Sequence, residues 1–189
     1  MIVSGGDGAA DMGTGFDALA KAHDRPVYAK LADVPATTLR PIVLGDDMDV
    51  HAATSRALDI LQASDDRYML MVEWDAHTDD PKDGLQHVAD FDALIAKVEQ
   101  RVDLSDTLLL FTADHSFGLQ VDGGRRGSPL LAVYDAWKAA GGNEDENLIR
   151  LDNVLLNHSH TAEEVPALTI GAGSDKVRGY LPAPSCSTS

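Results

Sequence analysis

The stretch RYMLMVEWDAHTDDP (residues 67–81) decides how the chain is read. Its first eight residues are apolar apart from Arg67 and Glu73, and a continuous run of that kind predicts a strand covered on both faces. Directly after it, Glu73, Asp75, Asp79 and Asp80 crowd around His77. Carboxylates gathered at the end of a buried strand are costly to desolvate, and a cation among them offsets that cost. Taken singly the cluster has a plainer reading: Asp79, Asp80 and Asp83 are solvated charges, with Asp79 or Asp80 capping the helix that follows.

Working outward, residues 84–102 set Leu85, Val88, Phe91, Leu94, Ile95 and Val98 on one helical face. TLLLFTA (107–113) is then a second apolar run. Strand, helix and strand in that order favour a parallel sheet with right-handed crossovers. MIVSG, RPVYAK, RPIVLGD and ALTIGAG read as further strands, and residues 15–22 and 51–63 as helices, the latter with Ala53, Ala57, Leu58 and Leu61 at helical spacing. The expected class is α/β, a mainly parallel sheet flanked by helices. Residues 1–181 are expected to form one domain and residues 182–189, Pro- and Ser-rich, a disordered tail. GGRRGSPLLAVYDAWKAAGGNEDEN mixes loop with one short helix, and its GGNEDEN part reads as an exposed turn.

Composition narrows the function. At 189 residues, 44% hydrophobic and 24% charged, the chain can bury one sizeable core. The formal charge is −16, and 25 of the 31 acidic residues are Asp. Such a surface repels phosphate backbones and anionic lipid, which argues against nucleic-acid and membrane partners. The Asp surplus suits a solvated acidic shell or hard-cation sites, and composition does not choose between them. No apolar run approaches a membrane span. MIVSGGDGAADMG lacks the basic start and apolar core of a signal peptide, and the sequence assigns no compartment. Cys186 is the single cysteine, so neither an internal disulfide nor a thiolate metal cluster is available.

Two more groups of chemistry-bearing residues join the one after Val72. FTADHSFG places Asp114 and His115 just beyond LLLF, and NHSHTAEEVP places His158, His160, Glu163 and Glu164 just before ALTI. In open α/β sheets, ligands collect at the carboxyl ends of strands, where the first two groups lie. Imidazole with carboxylate suits Zn²⁺, and an oxygen-only set suits Mg²⁺. Two zinc ions about 4 Å apart can hold the attacking and leaving oxygens of an in-line phosphoryl displacement.

These residues resemble the alkaline phosphatase family. MVE after an apolar run, TADHS after the next, and HTAEEVP later match its three metal-binding segments in order, and only Ala162 departs from the last pattern, where the family has Gly. The resemblance implies the family's three-layer α/β sandwich, incomplete here because the likeness covers the later half of the fold. It implies Asp114 and His115 as ligands of a second zinc, His160 as a ligand of a first zinc, and Glu73 as a magnesium ligand. His158 stands outside the motif. His77 matches the other histidine of the first zinc site, while the spacing around it departs from the family, leaving Asp75, or else Asp79, as the carboxylate there. The expected substrate is a small phosphomonoester, and the resemblance is compatible with a homodimer. The family is typically periplasmic or extracellular.

The family's nucleophile is a Ser following Asp, and no Asp-Ser dipeptide occurs in this sequence. The expectation is therefore a chain truncated at both ends, carrying most of the zinc and magnesium ligands and no catalytic serine. Two readings stand: a phosphomonoester hydrolase represented by part of its fold, or a divalent-metal-binding α/β domain without turnover. A phosphodiesterase or sulfatase on the same scaffold is a near variant of the first. Arg125 and Arg126 are cationic candidates for phosphate, or solvated loop residues.

Overall fold

The computed structural model describes residues 1–4, 12–45, 48–63, 67–76, 81–121, 127, 129–144, 146, 148–151, 154–161 and 163–180. His77, Asp79, Arg125, Arg126 and the tail 182–189 lie outside the described residues. The architecture is α/β, with four helices and three small sheets among the described residues. The chain divides into two compact units, Met1–Trp74 and Asp75–Ser189.

In the first unit the order is β1 (Ile2–Ser4), α1 (Phe16–Ala22), β2 (Val27–Tyr28), a 3₁₀ turn (Leu31–Asp33), β3 (Ile42–Leu44) and α2 (Val50–Gln62). The strands are parallel in the order β1-β3-β2, with Ile2 and Val27 both in register with Ile42. The middle strand carries an unbroken apolar triplet, and all three residues are buried, as parallel pairing with cover on both faces requires. Ala20 of α1 packs against Ile42 and Leu44.

Helix α2 starts at Asp49, whose Oδ1 accepts the backbone N–H of His51 at 2.8 Å and of Ala52 at 3.2 Å. Its apolar stripe then buries Ala53, Ala57, Leu58 and Ile60. Ile60, not the expected Leu61, completes the buried face. Removing the cap in Asp49→Ala leaves two N–H groups to water and is expected to cost about 1 kcal/mol. A chemical-denaturation series would show it as a lowered midpoint, largely restored in Asp49→Asn.

The decisive stretch departs from expectation. Residues 67–76 form no regular secondary structure. Exposure alternates along them, and Met69 reaches 84%. The backbone is covered on one side at most, and the boundary between the units falls directly after Trp74. An apolar run states that wetting a segment is costly. A strand also needs a neighbour to take its N–H and C=O groups, and that is a tertiary property.

The second unit contains α3 (Pro81–Glu99), β4 (Leu108–Thr112), β5 (Ser116–Val121), α4 (Leu130–Ala139), β6 (Leu148–Arg150), β7 (Val154–Thr161), β8 (Ala167–Gly171) and a 3₁₀ turn (Ser174–Lys176). Its ladders are antiparallel: β4 with β8, and β5-β7-β6. Among the described residues, parallel pairing is thus confined to the first unit, and a full three-layer sandwich is not seen. Strand β4 was expected to be covered on both faces, yet Leu110 is 55% exposed. The Phe111 ring meets Phe91 of α3, with centroids 6.2 Å apart. At the end of β8, Gly171 has φ +96°, and a Cβ there would collide with the Thr107 carbonyl oxygen, so the strand can close against residue 107 only with glycine.

Strands β6 and β7 were not anticipated, although LIRL alternates with period two and buries Ile149 and Leu151. Those residues join Val154 and Leu156 of β7 and Tyr134 of α4 in the core of this unit, with Leu130, Val133 and Trp137 packed at its edge. No helix among the described residues is long and apolar enough to cross a membrane.

Candidate metal centre

Strand β4 ends at Thr112, and Ala113, Asp114 and His115 carry the chain straight into β5. Strand β5 pairs antiparallel with β7, placing Ser116 opposite Thr161 and Phe117 opposite His160. His115 therefore enters one strand beside the place where His160 leaves the other. The two imidazoles lie with centroids 4.0 Å apart and planes inclined at 51°. Two residues 45 positions apart in sequence become neighbours through one ladder.

Asp114 is held by its successor. Its Oδ1 accepts the His115 backbone N–H at 3.0 Å, and its Oδ2 lies 3.4 Å from His115 Nε2. The carboxylate is open to water, while Nδ1 of His115 is buried. Two donors each about 2.1 Å from a tetrahedral ion stand roughly 3.4 Å apart. The Oδ2–Nε2 separation would allow the two atoms to share one cation, and a nitrogen-and-oxygen pair is a donor set that several divalent ions accept. Among the described residues no group of three or more His, Cys, Asp or Glu side chains is disposed to hold a metal. What the described residues provide is one two-donor edge with a second imidazole beside it.

Glu73 and Asp75 also fall among the described residues. Glu73 is exposed near the end of the first unit. Asp75 is exposed at the start of the second unit, and its backbone carbonyl lies 2.8 Å from His87 Nδ1 on α3. A carbonyl only accepts, so Nδ1 carries the proton in that contact. His87 thereby ties the segment bearing Asp75 to the helix, a role that spacing along the sequence did not suggest. Beyond His160, the fully exposed Glu163 is held below the usual carboxylate range, first by the Thr161 hydroxyl and then by its own backbone N–H.

The Metalloenzyme superfamily matches residues 30–186, a span that takes in Asp114, His115 and His160. The chain belongs to the Metalloenzyme superfamily. No curated protein and no solved structure matches it. The Metalloenzyme superfamily lies within the alkaline phosphatase-like clan, so membership implies a metal-dependent enzyme of that clan and a metal cofactor.

Proposed function

We propose that this member of the Metalloenzyme superfamily is a hydrolase of small phosphomonoesters that uses two zinc ions and one magnesium ion. The observation that carries the reading is the approach of Asp114, His115 and His160 across the β5–β7 ladder, three residues that also match the alkaline phosphatase motifs. In this reading Asp114 and His115 hold the second zinc, His160 and His77 the first together with Asp75 or Asp79, and Glu73 the magnesium. When bound, such cations neutralise phosphoryl oxygens and stabilise the charge that develops during displacement.

The chain's own residues prepare that site. The His115 N–H fixes the Asp114 carboxylate in one rotamer. With Nδ1 of His115 buried, its Nε2 edge is the one turned toward the carboxylate. Holding donors in place before a cation arrives lowers the entropy lost on binding.

A second reading is supported by one observation: no Asp-Ser dipeptide is present. A metal-binding domain without turnover has no need of that nucleophile. Zinc titration into chelator-treated protein, followed by assays of p-nitrophenyl phosphate, bis(p-nitrophenyl) phosphate and p-nitrophenyl sulfate at alkaline pH with zinc and magnesium, separates the readings. Hydrolysis of the monoester ahead of the other two is the expected result. Stoichiometric binding with no hydrolysis leaves only the second reading. Absence of binding ends both.

A further inference from the structure

The ladder that unites the two histidines is irregular at one point. Gly118 pairs with Asn157, yet the next residue, Phe117, pairs with His160, so His158 and Ser159 have no counterpart in β5. In an unbroken ladder counted on from Gly118 and Asn157, His160 would stand opposite His115. The bulge draws it back to Phe117 and sets the two histidines diagonally. Diagonal cross-strand neighbours stand farther apart than directly opposed ones, with Cα atoms roughly 7–8 Å apart, still within reach of ring side chains. Bulges of this kind re-aim side chains next to functional sites.

The bulge is held by a side chain. Asn157 Oδ1 accepts the Ser159 backbone N–H at 3.0 Å, inside the irregular segment. That N–H belongs to a residue the ladder has skipped, so the side-chain oxygen supplies the acceptor that a strand neighbour would otherwise offer. Asn157 is half-buried and is the last residue of β7 in regular register before the break.

We infer that Asn157 is a positioning residue for the metal centre, its side-chain carbonyl locking the His158–Ser159 bulge that sets His160 diagonally to His115. The inference rests on the proposed metal site and extends it to a residue that need not touch the ion.

Two variants test it, Asn157→Ala, which removes the acceptor, and Asn157→Asp, which keeps one. In chelator-treated protein, amide hydrogen exchange at Ser159 should quicken about tenfold or more in Asn157→Ala and stay near wild type in Asn157→Asp. NOEs between the His115 and His160 rings should weaken only in the alanine variant. Zinc affinity by calorimetry should fall about 10–100-fold in Asn157→Ala, the range found when residues supporting metal ligands are lost, and recover in Asn157→Asp. A wild type that binds zinc alongside an alanine variant with unchanged exchange or affinity overturns the inference. If the wild type binds no zinc, the proposed function fails. The exchange rates and NOEs, read without metal, then decide by themselves whether Asn157 sets the register. Should Asn157→Ala fail to fold, Asn157→Leu, which keeps the bulk of the side chain and has no oxygen acceptor, takes its place under the same criteria.

Discussion

His160→Ala is expected to weaken zinc binding by about 100-fold or more, with His115→Ala close behind. Structural zinc sites with four ligands bind with apparent free energies of about 10–16 kcal/mol. One ligand in four therefore accounts for roughly 3 kcal/mol, which is about two orders of magnitude in affinity. Calorimetric titration of chelator-treated protein reads this directly. A thermal-shift series gives a second readout, because a ligand at 100 times its Kd stabilises the folded state by about 2.7 kcal/mol. Zinc should raise the unfolding temperature of the wild type and leave the His115→Ala, His160→Ala double variant nearly unmoved. The two substitutions should also be non-additive, since the rings lie 4.0 Å apart and serve neighbouring parts of one site. Equal zinc affinity in the wild type and the double variant would remove these histidines from the centre.

The largest loss of stability is expected from Tyr134→Ala. Tyr134 is 1% exposed and sits among Ile149, Leu151, Val154 and Leu156. Its ring lies 5.6 Å from that of Trp137, and its hydroxyl donates to Glu144 Oε1 at 2.5 Å. The same carboxylate oxygen meets Lys138 Nζ at 2.6 Å. Truncation to alanine opens a cavity the size of a ring and should cost about 3–5 kcal/mol, a large share of the 5–15 kcal/mol typical of a domain. Tyr134→Phe keeps the packing and removes one hydrogen bond, and a bond to a charged group contributes about 1.5–3 kcal/mol. The lower end is expected here, because Glu144 is partly wet and keeps Lys138. Denaturant unfolding followed by tryptophan emission would separate the two variants, since Trp137 adjoins the lost ring. The effect reaches function, for this core anchors β7 and so the strand bearing His160. Tyr134→Ala should lose zinc affinity as it loses structure, whereas Tyr134→Phe should keep it.

Much of the local structure could be read residue by residue. The apolar triplet Ile42–Leu44, the stripe on α2 and the long amphipathic helix α3 follow from side-chain periodicity, which local geometry imposes. One short helix was also anticipated in the segment GGRRGSPLLAVYDAWKAAGGNEDEN, where the structure has α4. The stretch 67–76 was misread because hydrophobicity reports a preference for burial and carries no information about a strand neighbour. The antiparallel pairing of β4 with β8 was missed for a related reason. The two strands lie far apart in sequence, and neither shows by itself which partner it takes. The same holds at the candidate site: Asp114, His115 and His160 could be named from motifs, whereas the roles of His87 and Asn157 arise from contacts across loops and strands.

By itself, the sequence determined the α/β class, the acidic charge, the exclusion of an internal disulfide and a thiolate metal cluster, and the order of the carboxylate and imidazole segments, because each is written into residue type and spacing. Only the tertiary structure decided which strands pair and in which direction, and that a bulged antiparallel ladder sets His160 beside His115. Propensity and periodicity act within a few residues, whereas strand partners are chosen by backbone groups that meet only after the chain has folded back on itself.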